Sequence, residues 1–297
     1  MDTSIVSTFI TKIESMPALP TVAFRVMNVT ADPKSTANDL MKIISPDVSL
    51  TTKILKIANS PFYGLAKEVS SLQHAVTVLG FKEIKNLVIS TVAFESFKSL
   101  KQSKSFNINK FWKHSFCCAI AAKIIATELK CSGNELFVAG LIHDIGKLAM
   151  YIAFPAEFEK YIELTAPLKI KYSVFEIEKD IFGIPHDEAG IKLLEKWLFP
   201  ENLISAVGFH HHPEKADNNS ISPVIIHIAD ILAHLYEMSI DEETDDSVNI
   251  DVEIFYADIV NLVRLHGIEW NVSDLRRLKT TLSESMDQEV GTMSMFL

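Results

Sequence analysis

Apolar residues recur every three to four positions along most of the chain, and strict two-residue alternation is rare. This spacing is typical of amphipathic helices that bury one face. The pattern therefore predicts an all-α protein. The predicted helices cover residues 5–13, 21–29, 35–44, 46–58, 72–79, 82–100, 109–130, 135–153, 156–180 with an interruption at Pro167, 186–197, 200–212, 222–238, 253–266 and 273–290.

Proline, glycine and polar runs divide these helices into groups. Ser45 is predicted as an N-cap, with Pro46 at the first helical position after it. The polar run 98–109 is predicted as the seam between two helical subdomains, and the acidic run 241–251 as a solvated loop. The predicted organisation is an N-terminal helical bundle at 1–105, packed on a second bundle at 106–240. The helices of 252–297 are predicted to pack on the second bundle.

Composition narrows the class of protein. With 48% hydrophobic and 22% charged residues, the chain resembles a soluble globular protein. A net charge of -10 argues against wrapping duplex nucleic acid, which needs Lys and Arg to neutralise phosphates. Charged and polar breaks leave no run of about 18 apolar residues, so no membrane span is predicted. The N-terminus does not resemble a signal peptide and the three cysteines form no disulfide framework, so a cytoplasmic location is expected.

The strongest chemical feature is the stretch VAGLIHDIGKLAM at 138–150. It places His143 and Asp144 in the middle of a predicted apolar helix, with Lys147 one turn further on. Burying an imidazole and a carboxylate is costly unless both are satisfied. The pair is therefore a metal site, a catalytic pair or the relic of one.

Histidines are concentrated in the same region. Eight of the ten lie between His114 and His234, where even spacing would place about four. A single buried histidine is more often a hydrogen-bonded core residue than a ligand. A shared set on five helices instead predicts a mono- or binuclear site for Fe, Mn, Zn or Ni, all of which accept nitrogen and oxygen donors. The predicted ligands are His114, His143, Asp144, His186, His210, His211 and Asp230.

Such a centre would have a defined chemistry. One carboxylate can bridge two metal ions, and the metals lower the pKa of a bridging water so that it becomes a nucleophile. Lys147 is predicted to point at a substrate phosphate, which makes Lys147 and Asp144 the catalytic candidates if the protein is an enzyme. On a later helix His227, Asp230 and His234 are predicted to share one face.

Several blocks of the sequence resemble a known family over about residues 17–230. These blocks are MPALPTVAFRVM, IISPDVSLTTKILKIANSPFYG, AVTVLGFKEIKNLVIS, FWKHS, AGLIHDIGK, HDEAGIKLLEKW and HHHP. Together they resemble the HDOD family, the HD-related output domain of bacterial signalling, within the HD superfamily of metal-dependent phosphohydrolases. The resemblance implies an N-terminal helical bundle packed on an HD-like bundle, and a regulatory role exerted through other signalling proteins.

The HDIGK segment at 143–147 is also similar to that of HD-GYP cyclic-di-GMP phosphodiesterases. In that family an acid and a Gly-Tyr-Pro segment follow the paired histidines, whereas this chain has His212-Pro213-Glu214-Lys215. Two hypotheses remain open. The first is a signalling module that acts by protein contacts, with a metal in its HD-like half. The second is a metal-dependent phosphohydrolase for a nucleotide or cyclic dinucleotide, with His114, His143, Asp144 and Asp230 on one metal and His186, His210 and His211 on another.

Overall fold

A computed structural model of the chain shows helices and no strand in the part that it describes, which is residues 3–16, 19–32, 34–61, 63–97, 106–131, 133–165, 174–216, 220–241, 249–289, 291 and 293. The predicted all-α class is confirmed. The helices are α1 Thr3–Ser15, α2 Thr21–Ala31, α3 Ala37–Ile44, α4 Val48–Ala58, α5 Leu72–Leu79, α6 Phe81–Phe97, α7 Ile108–Glu128, α8 Gly133–Ile142, α9 Ile145–Ala153, α10 Pro155–Thr165, α11 Phe175–Phe182, α12 His186–Lys196, α13 Glu201–Gly208, α14 Ser222–Asp241, α15 Asn249–Leu265 and α16 Val272–Gln288.

Two helices organise the packing. In the N-terminal half, α6 contacts α2, α3, α4 and α5, and most of its residues are buried. In the second half, α7 contacts α8, α14 and α16, while α12 lies against α9 and α13. The two halves meet where α6 packs on α8. There the ring of Phe94 lies edge-on to that of Trp112, with 4.8 Å between the ring centroids. The site residues therefore lie on helices that the α7 core holds in place.

The first helix packs away from the other N-terminal helices. It lies against α9, α11 and α12. Lys196 Nζ at the end of α12 donates to the carbonyls of Ile13 at 2.9 Å and Glu14 at 2.8 Å. Lys12 Nζ in turn donates to the carbonyl of Ala153, the last residue of α9. These bonds satisfy carbonyls that a helix end leaves without partners, so they tie α1 to the second half of the chain.

The predicted buried faces are confirmed where periodicity was strong. On α4 the buried residues are Leu50, Ile54, Ile57 and Ala58.

The predicted N-cap of α4 was wrong. Ser45 ends α3, and the α4 N-cap is Asp47, whose side chain accepts from the amide of Leu50 at 2.9 Å. Serine and aspartate are both common N-cap residues. The helix begins after Asp47 because its carboxylate reaches an amide of the first helical turn that has no backbone partner.

Two predicted helices were too long. The helix predicted over 135–153 is divided into α8 and α9 by a turn at His143 and Asp144. His143 Nδ1 lies 2.8 Å from the carbonyl of Gly140, a group that a helix would use in its own ladder. The helix predicted over 200–212 ends at Gly208, so the paired histidines lie in the turn that follows. In both places the corrected boundary coincides with candidate ligands.

Some predictions fall outside the described residues. These are most of the polar seam at 98–109, the interruption at Pro167 and most of the acidic run 241–251. Two stretches, Glu135–Ala153 and Ser222–Ile240, are long and apolar enough for a membrane span by length and composition. They are 89% and 61% buried inside the protein, and the core helices of folded proteins pass the same test.

Gly146 allows α9 to approach α12 unusually closely. A Cβ at this position would lie 1.8 Å from the carbonyl oxygen of His186 and 2.7 Å from the amide of Gly190. Gly146→Ala should therefore lower the free energy of unfolding by about 3 kcal/mol, because two backbones must separate. Chemical denaturation measures this. Gly133→Ala is the matched control, since its Cβ would meet mainly the flexible Lys123 side chain; equal losses in both variants would contradict the argument.

Candidate metal centre

The structure brings all seven predicted ligands into one cluster. His114 lies on α7 and Asp230 on α14, while His186 begins α12. The remaining ligands lie in the turns after α8 and α13. His143, His186 and His210 are fully buried, and Asp144 and Asp230 are 3% and 2% exposed. Four overlapping groups have donor atoms within 4.8 Å of one another: Asp144, His186, His210 and His211; His114, Asp230 and His234; His114, His143 and Asp144; and His143, His210 and Asp230.

Backbone carbonyls fix the orientation of two imidazoles. His143 Nδ1 lies 2.8 Å from the carbonyl of Gly140, and His210 Nδ1 lies 2.6 Å from the carbonyl of Val207. A carbonyl only accepts, so Nδ1 carries a proton in both rings. Burial and the neighbouring His143 and His186 hold the pKa of His210 well below its usual value, so His210 Nε2 carries a lone pair. His227 Nδ1 in turn donates to the carbonyl of His210 at 2.7 Å, which holds the turn after α13.

The Nε2 atoms of both rings face carboxylate oxygens. His143 Nε2 lies 3.5 Å from both Asp144 Oδ2 and Asp230 Oδ1, and His210 Nε2 lies 3.9 Å from Asp144 Oδ1. Within the described part of the chain, His143 Nε2, His210 Nε2 and Asp144 Oδ1 have no well-aligned hydrogen-bond partner. Buried polar atoms without partners are costly, and a cation among these three atoms would satisfy them. The donor set therefore fits a divalent transition metal, and its nitrogen and oxygen atoms do not select among Fe, Mn, Zn and Ni.

A carboxylate orients the third imidazole. Glu178 and His186 are both fully buried, and His186 Nδ1 lies 2.7 Å from Glu178 Oε2. The hydroxyl of Tyr161 donates to Glu178 Oε1 at 2.9 Å, which fixes the carboxylate in turn. His186 Nε2 then faces inward, 3.2 Å from Asp144 Oδ1 and 3.0 Å from His211 Nε2. This is the carboxylate–histidine arrangement that commonly supports metal ligands.

His114 lies between two carboxylates on α14. Its Nε2 is 3.0 Å from Asp230 Oδ1, and its Nδ1 is 3.3 Å from Glu237 Oε2. Burial lowers the pKa of His114, but Glu237 and Asp230 outweigh it and raise the pKa to about 10. A metal ligand must be neutral, so metal binding at His114 would release a proton.

Lys147, which the sequence predicts to point at a substrate phosphate, is bonded to Asp144. Its Nζ donates to Asp144 Oδ2 at 2.6 Å, and its side chain is 18% exposed. Burial raises the pKa of Asp144, but Lys147 and the neighbouring imidazoles hold it well below its usual value. Asp144 is therefore ionised, with Oδ2 bonded to Lys147 and Oδ1 directed at the histidines.

Three residues that contact the cluster are not among the seven predicted ligands. Glu178 is one of several acids in α11, and nothing in their spacing distinguishes it. His234 and Glu237 follow Asp230 by four and seven positions, so helical spacing from a known ligand would have found them. His234 was predicted on the Asp230 face but not counted among the ligands.

The helical fold and the buried histidine–aspartate cluster define an HD-type domain. The sequence profile of the HDOD domain matches residues 16–213, which is well over half of the chain. This protein belongs to the HDOD family.

Other proteins resemble this chain in sequence or in fold. An uncharacterized protein of Treponema pallidum (strain Nichols) is 26% identical over 210 residues, and the match spans 71% of this chain but 40% of that relative. A proposed phosphohydrolase from Shewanella amazonensis SB2B has a similar structure, with a TM-score of 0.75 at 22% identity over 98% of both chains.

Two further solved structures share the fold. An HDOD domain protein of unknown function from Geobacter sulfurreducens gives a TM-score of 0.72 at 23% identity, covering 97% of this chain and 96% of the other. A proposed signal transduction protein from Marinobacter aquaeolei VT8 gives 0.71 at 20% identity, covering 99% and 66%. At these identities the likeness establishes the fold alone.

Glu178 provides a test of the cluster as a metal site. Glu178→Gln should weaken metal binding by about 10- to 100-fold, because it removes the charge that orients His186. Equilibrium dialysis against Mn²⁺ or Zn²⁺ measures the affinity. Glu176→Gln on the same helix is the control, since Glu176 is exposed and pairs with Lys179. Unchanged affinity in a folded Glu178→Gln variant would argue against a role for His186 in metal binding.

Proposed function

We propose that this protein is a cytoplasmic bacterial signalling module that holds a divalent transition metal in its HD-like half and acts by binding other signalling proteins. One observation carries the proposal: inward Nε2 atoms of His143, His186 and His210 converge on Asp144 and Asp230, while their Nδ1 atoms are fixed from outside. A metal site needs imidazoles that are held in a fixed orientation, whereas the packing of a hydrophobic core does not.

The ligands divide naturally around Asp144. Asp144, His186, His210 and His211 would hold one metal, and His114, His143 and Asp144 a second, with Asp144 shared. Asp230 would join the second metal through its contacts with His114 and His143. A bound metal would act as a Lewis acid and lower the pKa of a coordinated water. The protein supplies the fixed imidazoles, two ionised carboxylates and a nearly dry surrounding.

The closure of the cluster favours regulation over hydrolysis. Five of the predicted ligands are at most 3% exposed, and Lys147 bonds to Asp144. A catalytic metal keeps an open position for its substrate, whereas a structural metal is enclosed by protein ligands. The described surroundings resemble the enclosed kind, so the metal would stabilise the conformation that partners recognise.

The second candidate is a metal-dependent phosphohydrolase that acts on a nucleotide or a cyclic dinucleotide. The specific observation in its favour is that Asp144 belongs to two donor groups, as a bridge between two metals requires. His211 is partly exposed and gives that side of the cluster access to solvent. A related fold is also described as a proposed phosphohydrolase.

Metal content tests the shared premise. Protein purified without a metal-affinity column should contain close to one or two metals per chain by elemental analysis, and Asp144→Ala should lose most of it because that carboxylate joins two donor groups. Glu176→Gln is again a suitable control. Less than about a tenth of a metal per chain, unmoved by reconstitution with Fe, Mn or Zn, would contradict both candidates.

Turnover separates the two candidates. With metal bound, the signalling module should hydrolyse cyclic dinucleotides and nucleoside phosphates no faster than Asp144→Ala, because its ligands enclose the metal. The measurement is product formation by chromatography at saturating substrate. Metal-dependent turnover in the wild type that disappears in Asp144→Ala would instead establish the hydrolase.

A further inference from the structure

His234 lies at the outer edge of the cluster, one turn after Asp230 on α14. Its Nε2 is 3.4 Å from Asp230 Oδ1, and its Nδ1 is 3.9 Å from Glu237 Oε2. The side chain is 26% exposed, in contrast to the buried ligands behind it. His234 is therefore the member of the His114–Asp230 group that solvent reaches most easily.

The orientation of His234 repeats that of His114. Both rings direct Nε2 at the same oxygen, Asp230 Oδ1, and both direct Nδ1 at Glu237 Oε2. The two ring centroids are 4.3 Å apart with an angle of 32° between the planes. The two imidazoles thus lie side by side, with Asp230 on the Nε2 side of both rings and Glu237 on the Nδ1 side.

This arrangement matches neighbouring ligands of one ion. Nitrogen and oxygen ligands about 2 Å from a metal lie about 3–4 Å from each other. One donor atom each from His114, Asp230 and His234 falls within 4.8 Å of the others. Two histidines and one carboxylate are a common donor set for Fe and Zn.

A network of ion pairs is the competing explanation, with His114 protonated between Asp230 and Glu237. It does not account for His210, whose Nδ1 donates to the carbonyl of Val207 and whose buried Nε2 has no hydrogen-bond partner among the described residues. An ion-pair network leaves that nitrogen unsatisfied. One donor atom each from His143, His210 and Asp230 lies within 4.8 Å of the others, so a cation beside Asp230 would satisfy it.

The geometry points to His234 as a further ligand of the metal held by His114 and Asp230, with Glu237 orienting His114 from behind. This inference rests on the metal centre proposed above and deepens it. An additional protein ligand leaves fewer coordination positions for a substrate, which favours a structural or regulatory metal. The exposure of His234 also gives the ion a path from solvent.

Cobalt(II) reports on the ligand directly, without any assay of activity. His234→Gln should lower the cobalt affinity of one site by about tenfold or more, and it should shift the visible ligand-field bands. His234→Phe keeps a flat ring beside His114 but has no donor atom, so it should show the same loss. His266→Gln, a histidine beyond the end of α15, should behave like the wild type. Equilibrium dialysis and absorption spectra give both quantities, and circular dichroism checks folding.

The outcomes separate the two claims. If the wild type binds no cobalt, the proposed metal centre fails and this inference fails with it. If the wild type binds cobalt while His234→Gln and His234→Phe retain its affinity and spectrum, the metal centre stands and only the role of His234 is overturned. Loss in both variants, with unchanged binding in His266→Gln, supports the inference.

Discussion

The turn at His143 and Asp144 is the constraint on which the rest of the site depends. A continuous helix over 135–153 would separate these side chains around its axis and leave the carbonyl of Gly140 to the ladder. The break lets His143 bond that carbonyl at 2.8 Å and turns Asp144 toward α12. Gly146 then permits α9 and α12 to touch backbone to backbone, which brings His186 within 3.2 Å of Asp144.

This geometry carries an energetic cost that needs compensation. Leaving a buried polar group without a partner costs about 2–7 kcal/mol, and here His143 Nε2, His210 Nε2 and Asp144 Oδ1 have no well-aligned hydrogen-bond partner among the described residues. Lys147 compensates the other oxygen of Asp144, and Glu178, Glu237 and backbone carbonyls hold the outer nitrogens. Those outer bonds fix the rings but leave the three inner atoms unsatisfied, and a cation inside the cluster would satisfy them.

The spacing of apolar residues was sufficient to predict the fold class and the buried faces. One such face recurs every three to four positions along α4, at Leu50, Ile54, Ile57 and Ala58. The spacing could not reveal the break at His143, because apolar residues flank both sides of the turn and hydropathy does not change across it. The seven predicted ligands could be found in the sequence because imidazole and carboxylate are rare in apolar surroundings. Glu178 could not, since its role comes from a tertiary contact with His186 and α11 carries other acids.

The cluster also lies between two contacts that join the N-terminal residues to the rest of the chain. The His143–Asp144 turn ends α8, and α8 is the helix on which α6 of the N-terminal half packs. On the other side, α9 and α12 hold α1 through the bonds of Lys12 and Lys196. A metal that fixes the turn therefore fixes two separate contacts with the N-terminal residues.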